Sequence, residues 1–318
     1  MNNKILSVDY NKIFGVDIET VRQEENFDEN SPMYDLWAWK CRDKDTNEIP
    51  PTEEVIKRYN NQAALYPEYG KIVCISIGYI SDNTIITKSL TGDEQDILEE
   101  FVKIIEGSGR KLVVHNREFD IPYIQKRFVI KCKGQIFPSK YNLFSIKPWE
   151  SEDSVLCTMN TWKNIGWQNT SLAELAYCMG VPTPKDDING SEVNRVYWEE
   201  KDINRIAKYC EKDVLTVLNI LRVWKGDSIL EQVSRTGEEV KIENVPVLNR
   251  IYQSSEITEH DLKELKEILK TKKINKKEKD ILKDMIYKVS LNSDMFAYET
   301  KAVKEEKKQV IENLINGL

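Results

Sequence analysis

No stretch of the 318-residue sequence approaches the ~20 consecutive apolar residues that a helix needs to cross a bilayer. The opening residues, MNNKILSVDY, lack the charged region, apolar stretch and small-residue cleavage site of a signal peptide. A cytoplasmic protein with no membrane partner is therefore expected. Cysteine is sparse and scattered: Cys41, Cys74, Cys132, Cys157, Cys178 and Cys210 form no C-x-x-C pair. That pattern argues against a zinc site and for reduced thiols. Cys74, Cys178 and Cys210 fall in apolar-periodic segments and read as small core fillers. Histidine is scarcer still, with only His115 and His260. Positive charge is outnumbered, giving a net charge of -7. Such a balance argues against holding nucleic acid by bulk electrostatics, though not against engaging a strand end through metal ions.

What is present suffices for a large core, with 40% hydrophobic residues. Ile13 to Glu19 reads as a buried strand, and 71–80 with 84–90 as a hairpin around Ser81-Asp82-Asn83. Residues 21–69 hold no sustained period and read as a long insertion with one helix near 53–65. Trp37 and Trp39 in it are expected to be core rather than a stacking platform. Thr91-Gly92-Asp93-Glu94 and Ser171-Leu172-Ala173-Glu174 both carry the capping-box pattern before a helix. The first of these helices is stopped by Gly107 to Gly109, the second by Gly180. Lys111 to Asn116 reads as a strand, 119–130 as a helix, and the stretch to Asn169 as loop. Asp202 caps a long helix, 203–225, with a buried stripe of Ile206, Ala207, Cys210, Val214, Val217 and Leu221. Beyond about Gly226 the pattern changes to amphipathic helices, including 298–315, joined by KTKKINKKEK. The order of elements predicts an α/β core with a mixed sheet, residues 1–228, followed by a helical C-terminal extension, 229–318.

Three motifs carry chemistry. In FGVDIET, Asp17 and Glu19 are two apart on a strand and leave the same face. Paired carboxylates on an interior strand repel and lose hydration, a penalty that a divalent cation with oxygen ligands removes; a polar sheet edge is the plainer alternative. In VVHNREFDIPYI, Asp120 follows a strand near a helix start, Asn116 offers an amide, and Phe119 and Tyr123 offer flat faces for a base. In YCEKD, Tyr209 and Asp213 are four apart and share a helix face. Taken singly, the second and third also fit an ordinary helix-start charge and a surface pair.

In this order the three motifs resemble the DEDD exonuclease superfamily. Tyr209, four before Asp213, matches its tyrosine branch; the histidine branch would want His where this chain has Lys208. AALYPEYGKIVCISIGY, TSLAELAYCMGV, NGSEVNRVYW and IAKYCEKDV look like stand-alone exonucleases related to the proofreading domain of family-B DNA polymerases. The resemblance runs from about Ile13 to Lys225. One departure is Cys157 before TMNTWK, where such relatives usually carry an acidic residue; it puts a supporting hydrogen bond in doubt.

The resemblance implies a ribonuclease-H-like fold and 3′→5′ hydrolysis of single-stranded DNA to 5′-mononucleotides. It implies two divalent ions, Mg²⁺ or Mn²⁺, held by Asp17, Glu19, Asp120 and Asp213, with Tyr209 orienting the attacking water. Thr20, Asn116 and Phe119 would contact substrate. The expected partner is a nucleic acid with a free 3′ end; since the sequence holds no polymerase region, the protein is expected to act alone or with a replication or repair partner in trans. Lys272, Lys273, Lys276 and Lys277 are candidate phosphate contacts, against the alternative of a solvated helical extension. An exoribonuclease, or a binding protein with a retired nuclease site, are the competing functions.

Overall fold

The strand that carries Asp17 and Glu19, β1 (Ile13–Arg22), lies in the interior of a six-stranded mixed sheet. Its neighbours are β2 (Gly70–Ser81), antiparallel, and β4 (Lys111–Val114), parallel. β3 (Thr84–Thr91) pairs with β2 as the expected hairpin. β5 (Val155–Cys157) and β6 (Gln232–Ser234) close the two edges, giving the order β5-β4-β1-β2-β3-β6. This computed structural model describes residues 7–236 apart from 82, 142–153, 164, 165, 167 and 184–186. All of these belong to the unit formed by residues 1–237. The C-terminal helices expected from the pattern, and with them Lys272, Lys273, Lys276 and Lys277, lie outside the described residues.

Helices flank the sheet on both faces. Phe14, Val16 and Ile18 of β1 join Ile72, Ile75 and Ile77 of β2 in one core. Over it lie α3 (Glu94–Ser108) and α4 (Arg117–Lys131), through Ile97, Leu98, Phe101, Ile121, Ile124 and Phe128. The opposite face receives α7 (Ile203–Trp224), whose predicted stripe is buried throughout. Asp202 accepts from the Arg205 N–H at its start, as predicted. α7 can lie close because Gly15 and Gly78 are cross-strand partners beneath it. A Cβ on Gly15 would stand 2.8 Å from Leu218 Cγ, and one on Gly78 2.6 Å from Val214 Cγ1. These glycines serve close approach, the usual meaning of a lone glycine inside a strand.

The two capping-box patterns part ways. Ser171 and Glu174 form the full reciprocal box at the start of α6 (Leu172–Met179), which ends at left-handed Gly180. At α3 the cap is Asp93, and Glu94 is instead buried, accepting from Arg127 Nη2 at 2.6 Å and from the Ile72 N–H at 2.7 Å. A buried guanidinium and a strand amide together hold that carboxylate more strongly than the local box would. Gly109 ends α3 in the left-handed conformation.

Four expectations are corrected. The 21–69 segment holds two helices, α1 (Tyr34–Lys40) and α2 (Thr52–Gln62), around a satellite core of Phe27, Trp37, Val55 and Tyr59. Trp37 is core as expected, but Trp39 is 54% exposed, with the Arg42 guanidinium over its ring. Cys178 is exposed rather than a core filler, whereas Cys74 and Cys210 are fully buried. The stretch expected as loop before Asn169 contains β5 and α5 (Thr158–Lys163). Among the described residues no helix is long and apolar enough to cross a membrane.

Candidate active site

Alternation along β1 turns Gly15, Asp17 and Glu19 toward α7, the glycine-sized gap giving way to two carboxylates. Asp17 pairs across the sheet with Ser76, and Glu19 with Cys74. Immediately after Glu19 the register shifts, leaving Val73 of β2 as the extra residue. Such a bulge interrupts the pairing beside the carboxylates before it resumes at Thr20 and Ile72, a common device at sites.

α7 sets Cys210 directly over this pair. Its thiol donates to Asp17 Oδ2 at 3.3 Å, and ligand atoms of Asp17, Glu19 and Cys210 all lie within 4.8 Å of one another. One helical turn places the next two groups: Tyr209 precedes Cys210, and Asp213 comes after it on the same side of α7. Asp120 enters from α4, buried at 5% exposure, with Asn116 as the residue at the helix start.

The electrostatics record how close these groups are. Burial, then the charges of Asp213, Glu19 and Asp120, push the Asp17 carboxyl far above the usual range. Glu19 is raised likewise by burial and by Asp213, Cys74 and Asp120. Asp120 is pushed up to about 8, chiefly by burial and with a contribution from Asp213, while a backbone hydrogen bond from Asn116 pulls the other way. Burial and the charges of Asp213, Glu19 and Asp17 raise the Tyr209 phenol well above its ordinary value. Among the described residues no lysine or arginine forms a salt bridge with Asp17, Glu19 or Asp120. Carboxylates gathered in this way fit the donor set of a hard divalent ion. The buried thiol of Cys210 adds one soft neighbour that the sequence reading missed.

Of the expected substrate contacts, Thr20 has its hydroxyl committed to the Ala64 carbonyl at 2.9 Å. Phe119 is half-buried against the core, its ring 5.3 Å from that of Tyr123. Tyr123 is 1% exposed and donates to Ala64 O at 3.0 Å, so it is core and not a stacking face. His115 is structural: Thr158 Oγ1 stands 2.9 Å from its Nδ1, and Nε2 meets the Thr170 carbonyl at 3.0 Å. Cys157 makes its own hydrogen bonds, donating to His115 O at 3.1 Å and accepting from the Asn160 N–H at 3.4 Å. An acidic residue is not needed there to hold the segment.

Sequence reasoning also missed a polar seam under α7. Ser76 and Ser89 hydroxyls lie 2.6 Å apart, and Ser89 donates to Ala207 O at 3.2 Å. Beside them the buried Glu211 carboxylate accepts from Thr87 Oγ1 at 3.0 Å, Gln232 Nε2 at 2.8 Å and the Thr236 hydroxyl. The seam ties α7, which carries Tyr209 and Asp213, to the sheet and to β6.

No curated protein and no solved structure gives a significant match to the chain. A model of the RNase H superfamily matches residues 62–225, a span from α2 to the end of α7 that includes Asp120, Tyr209 and Asp213 and starts after Asp17 and Glu19. That fold implies a nucleic-acid substrate and nuclease chemistry, usually with divalent metals. Covering just over half of the sequence, the match makes this chain a member of the RNase H superfamily.

Proposed function

We propose that the protein is a tyrosine-branch DEDD exonuclease that removes 5′-mononucleotides from the 3′ end of single-stranded DNA. The observation that carries the reading is the placement of Asp17 and Glu19 on β1 beneath Cys210 of α7, with Asp120 of α4 and Asp213 of α7 near enough for their charges to raise the Asp17 and Glu19 carboxyls. Asp17, Glu19, Asp120 and Asp213 would hold two divalent ions, Mg²⁺ or Mn²⁺. Bound there, such ions supply a hydroxide equivalent near neutral pH and stabilise charge on the leaving 3′ oxygen.

The chain's own groups do the rest. Tyr209 orients the attacking water through its phenol oxygen; with an ordinary phenol pKa of ~10 it is a poor base by itself. Burial of Glu19 and Asp120 lowers the local polarity and strengthens the charge interactions they make. Glu19 and Asn116 are the groups proposed to meet the terminal nucleotide.

The test uses single-stranded DNA and RNA carrying a label at the 5′ or the 3′ end, with Mg²⁺, Mn²⁺ or EDTA. A stepwise ladder from 5′-labelled DNA and immediate release of labelled mononucleotide from 3′-labelled DNA are expected, both abolished by EDTA. Internal cleavage, or activity that survives EDTA, refutes the reading; faster digestion of RNA transfers the function to an exoribonuclease.

A further inference from the structure

Away from the carboxylates, a cavity of about 370 Å³ opens beside the π-helical turn Val196–Glu200. Val73, Ile203, Tyr197, Trp198, Thr91 and Lys201 line it, and none of the active-site carboxylates does. Its position comes from register. Thr91 pairs with Cys74, and Cys74 with Glu19, so the cavity wall lies two strands from Glu19 on the same face, ~10 Å away. Along α7, Ile203 precedes Tyr209 by a rise of ~9 Å. One short strand could span both places.

The chemistry of the wall is specific. Tyr197 and Trp198 meet edge to face, with centroids 4.9 Å apart, and Trp198 Nε1 is fixed by donation to the Arg22 carbonyl at 3.2 Å. The ammonium of Lys71 stands 4.4 Å from the Trp198 centroid and donates to the Tyr197 hydroxyl at 3.3 Å. Lys201 brings a second ammonium to 5.0 Å from the same ring, and its backbone is held at φ 55, which a residue other than glycine rarely adopts. Its carboxylate partner is Glu25 at 2.9 Å, an exposed pair that is cheap to open. π turns are uncommon and cluster at functional sites. The bulge at Val73 supplies the apolar floor. An aromatic and aliphatic pocket with Lys201 in its wall and Lys71 held against its two aromatic rings, on a chain of net charge -7, has the form of a base-plus-phosphate receptor.

We propose that this cavity binds an internal nucleotide of a single-stranded nucleic acid whose 3′ end lies at the carboxylates, with the base against Tyr197 and Trp198 and the phosphate on Lys71 and Lys201. The proposal rests on the reading of the carboxylate site as one that takes a 3′ end. The experiment measures binding of a fluorescein-labelled ten-nucleotide thymidine strand to the full chain in EDTA, across salt concentrations. The comparison is the double variant Lys71→Gln, Lys201→Asn, where Asn tolerates the left-handed backbone. Binding is expected to weaken about tenfold, and the salt slope to become shallower by about 1.4, for two lost contacts at ~0.7 each. A strand bearing 5-iododeoxyuridine should crosslink to the peptide containing Tyr197 and Trp198.

Unchanged affinity and slope in the double variant, or crosslinks confined to other peptides, overturn the proposal. So does free thymidine monophosphate binding as tightly as the strand, which would make the cavity a mononucleotide site. If the crosslink and slope behave as expected but no 3′ end is ever cut, the cavity stands and the exonuclease reading falls. Digestion of 3′ ends with unaltered binding in the double variant does the reverse: the exonuclease reading stands and the cavity falls.

Discussion

Replacing Asp120 with asparagine tests whether the carboxylate cluster stores electrostatic strain. In the fold the Asp120 carboxyl is raised to about 8, mainly by burial; in the unfolded chain its reference value is ~3.9. The folded state therefore holds a proton that the unfolded state has released across this window. The stability this group contributes is complete below pH ~4 and is lost as pH rises toward 8, at ~1.4 kcal/mol per pH unit. At pH 7 the accumulated loss reaches ~4 kcal/mol, and from pH 5 to pH 7 it amounts to ~2.7 kcal/mol. Asparagine has the same shape and no proton to hold. Urea unfolding in EDTA at pH 5 and pH 7 should show the wild type losing stability relative to Asp120→Asn by about that interval, ~2–3 kcal/mol. Millimolar Mg²⁺ at pH 7 should stabilise the wild type and narrow the gap, because an ion that binds only the fold adds to its stability. A gap that stays the same at both pH values would mean that Asp120 is ionised and unstrained, and the strain argument would fall.

Three further outcomes come from the same geometry. Gly78→Ala sets a Cβ 2.6 Å from Val214 Cγ1, so the Val214 side chain or α7 behind it must shift; a loss of ~1–3 kcal/mol by urea unfolding is expected, with weaker Mn²⁺ binding by paramagnetic titration. Arg127→Met leaves the Glu94 carboxylate buried without its guanidinium; unfolding should fall by ~3–5 kcal/mol, and an unchanged midpoint would show that Lys131 at 3.7 Å compensates. Tyr209→Phe removes only a hydroxyl; cleavage of 3′-labelled DNA should fall by about 10²-fold or more while Mn²⁺ affinity holds, and equal losses in both would assign the tyrosine to metal retention.

The legible parts of the molecule were those where local pattern and tertiary need agree. β1, the hairpin and α7 all follow their periodicity, and the stripe from Ile206 to Leu221 is buried as expected. Asp17 and Glu19 stood out because carboxylates at that spacing contradict a buried strand. Whatever escaped has a physical cause in each case. Glu94 obeys the capping pattern of Ser171–Glu174, but a distant arginine claims it. β6 is three mostly exposed residues with no apolar alternation, held by pairing to β3 and by Gln232 and Thr236 reaching Glu211. α1 has no side-chain cap and is stabilised by aromatic contacts, Trp37 packing edge-on to Tyr59 and Tyr69. Gly15 and Gly78 were visible as lone glycines in strands, but only the register reveals that they face each other under α7.

Whether the carboxylates of β1, α4 and α7 form one hydrolytic centre acting on 3′ ends is decided by comparing wild type and Asp17→Ala on 5′-labelled single-stranded DNA with Mg²⁺. Asp17→Ala relieves a like-charge cluster and should keep its native circular dichroism spectrum. A one-nucleotide ladder from the wild type and intact substrate from the variant are expected. Ladders of equal rate from both proteins would remove Asp17, and with it the shared centre, from the chemistry.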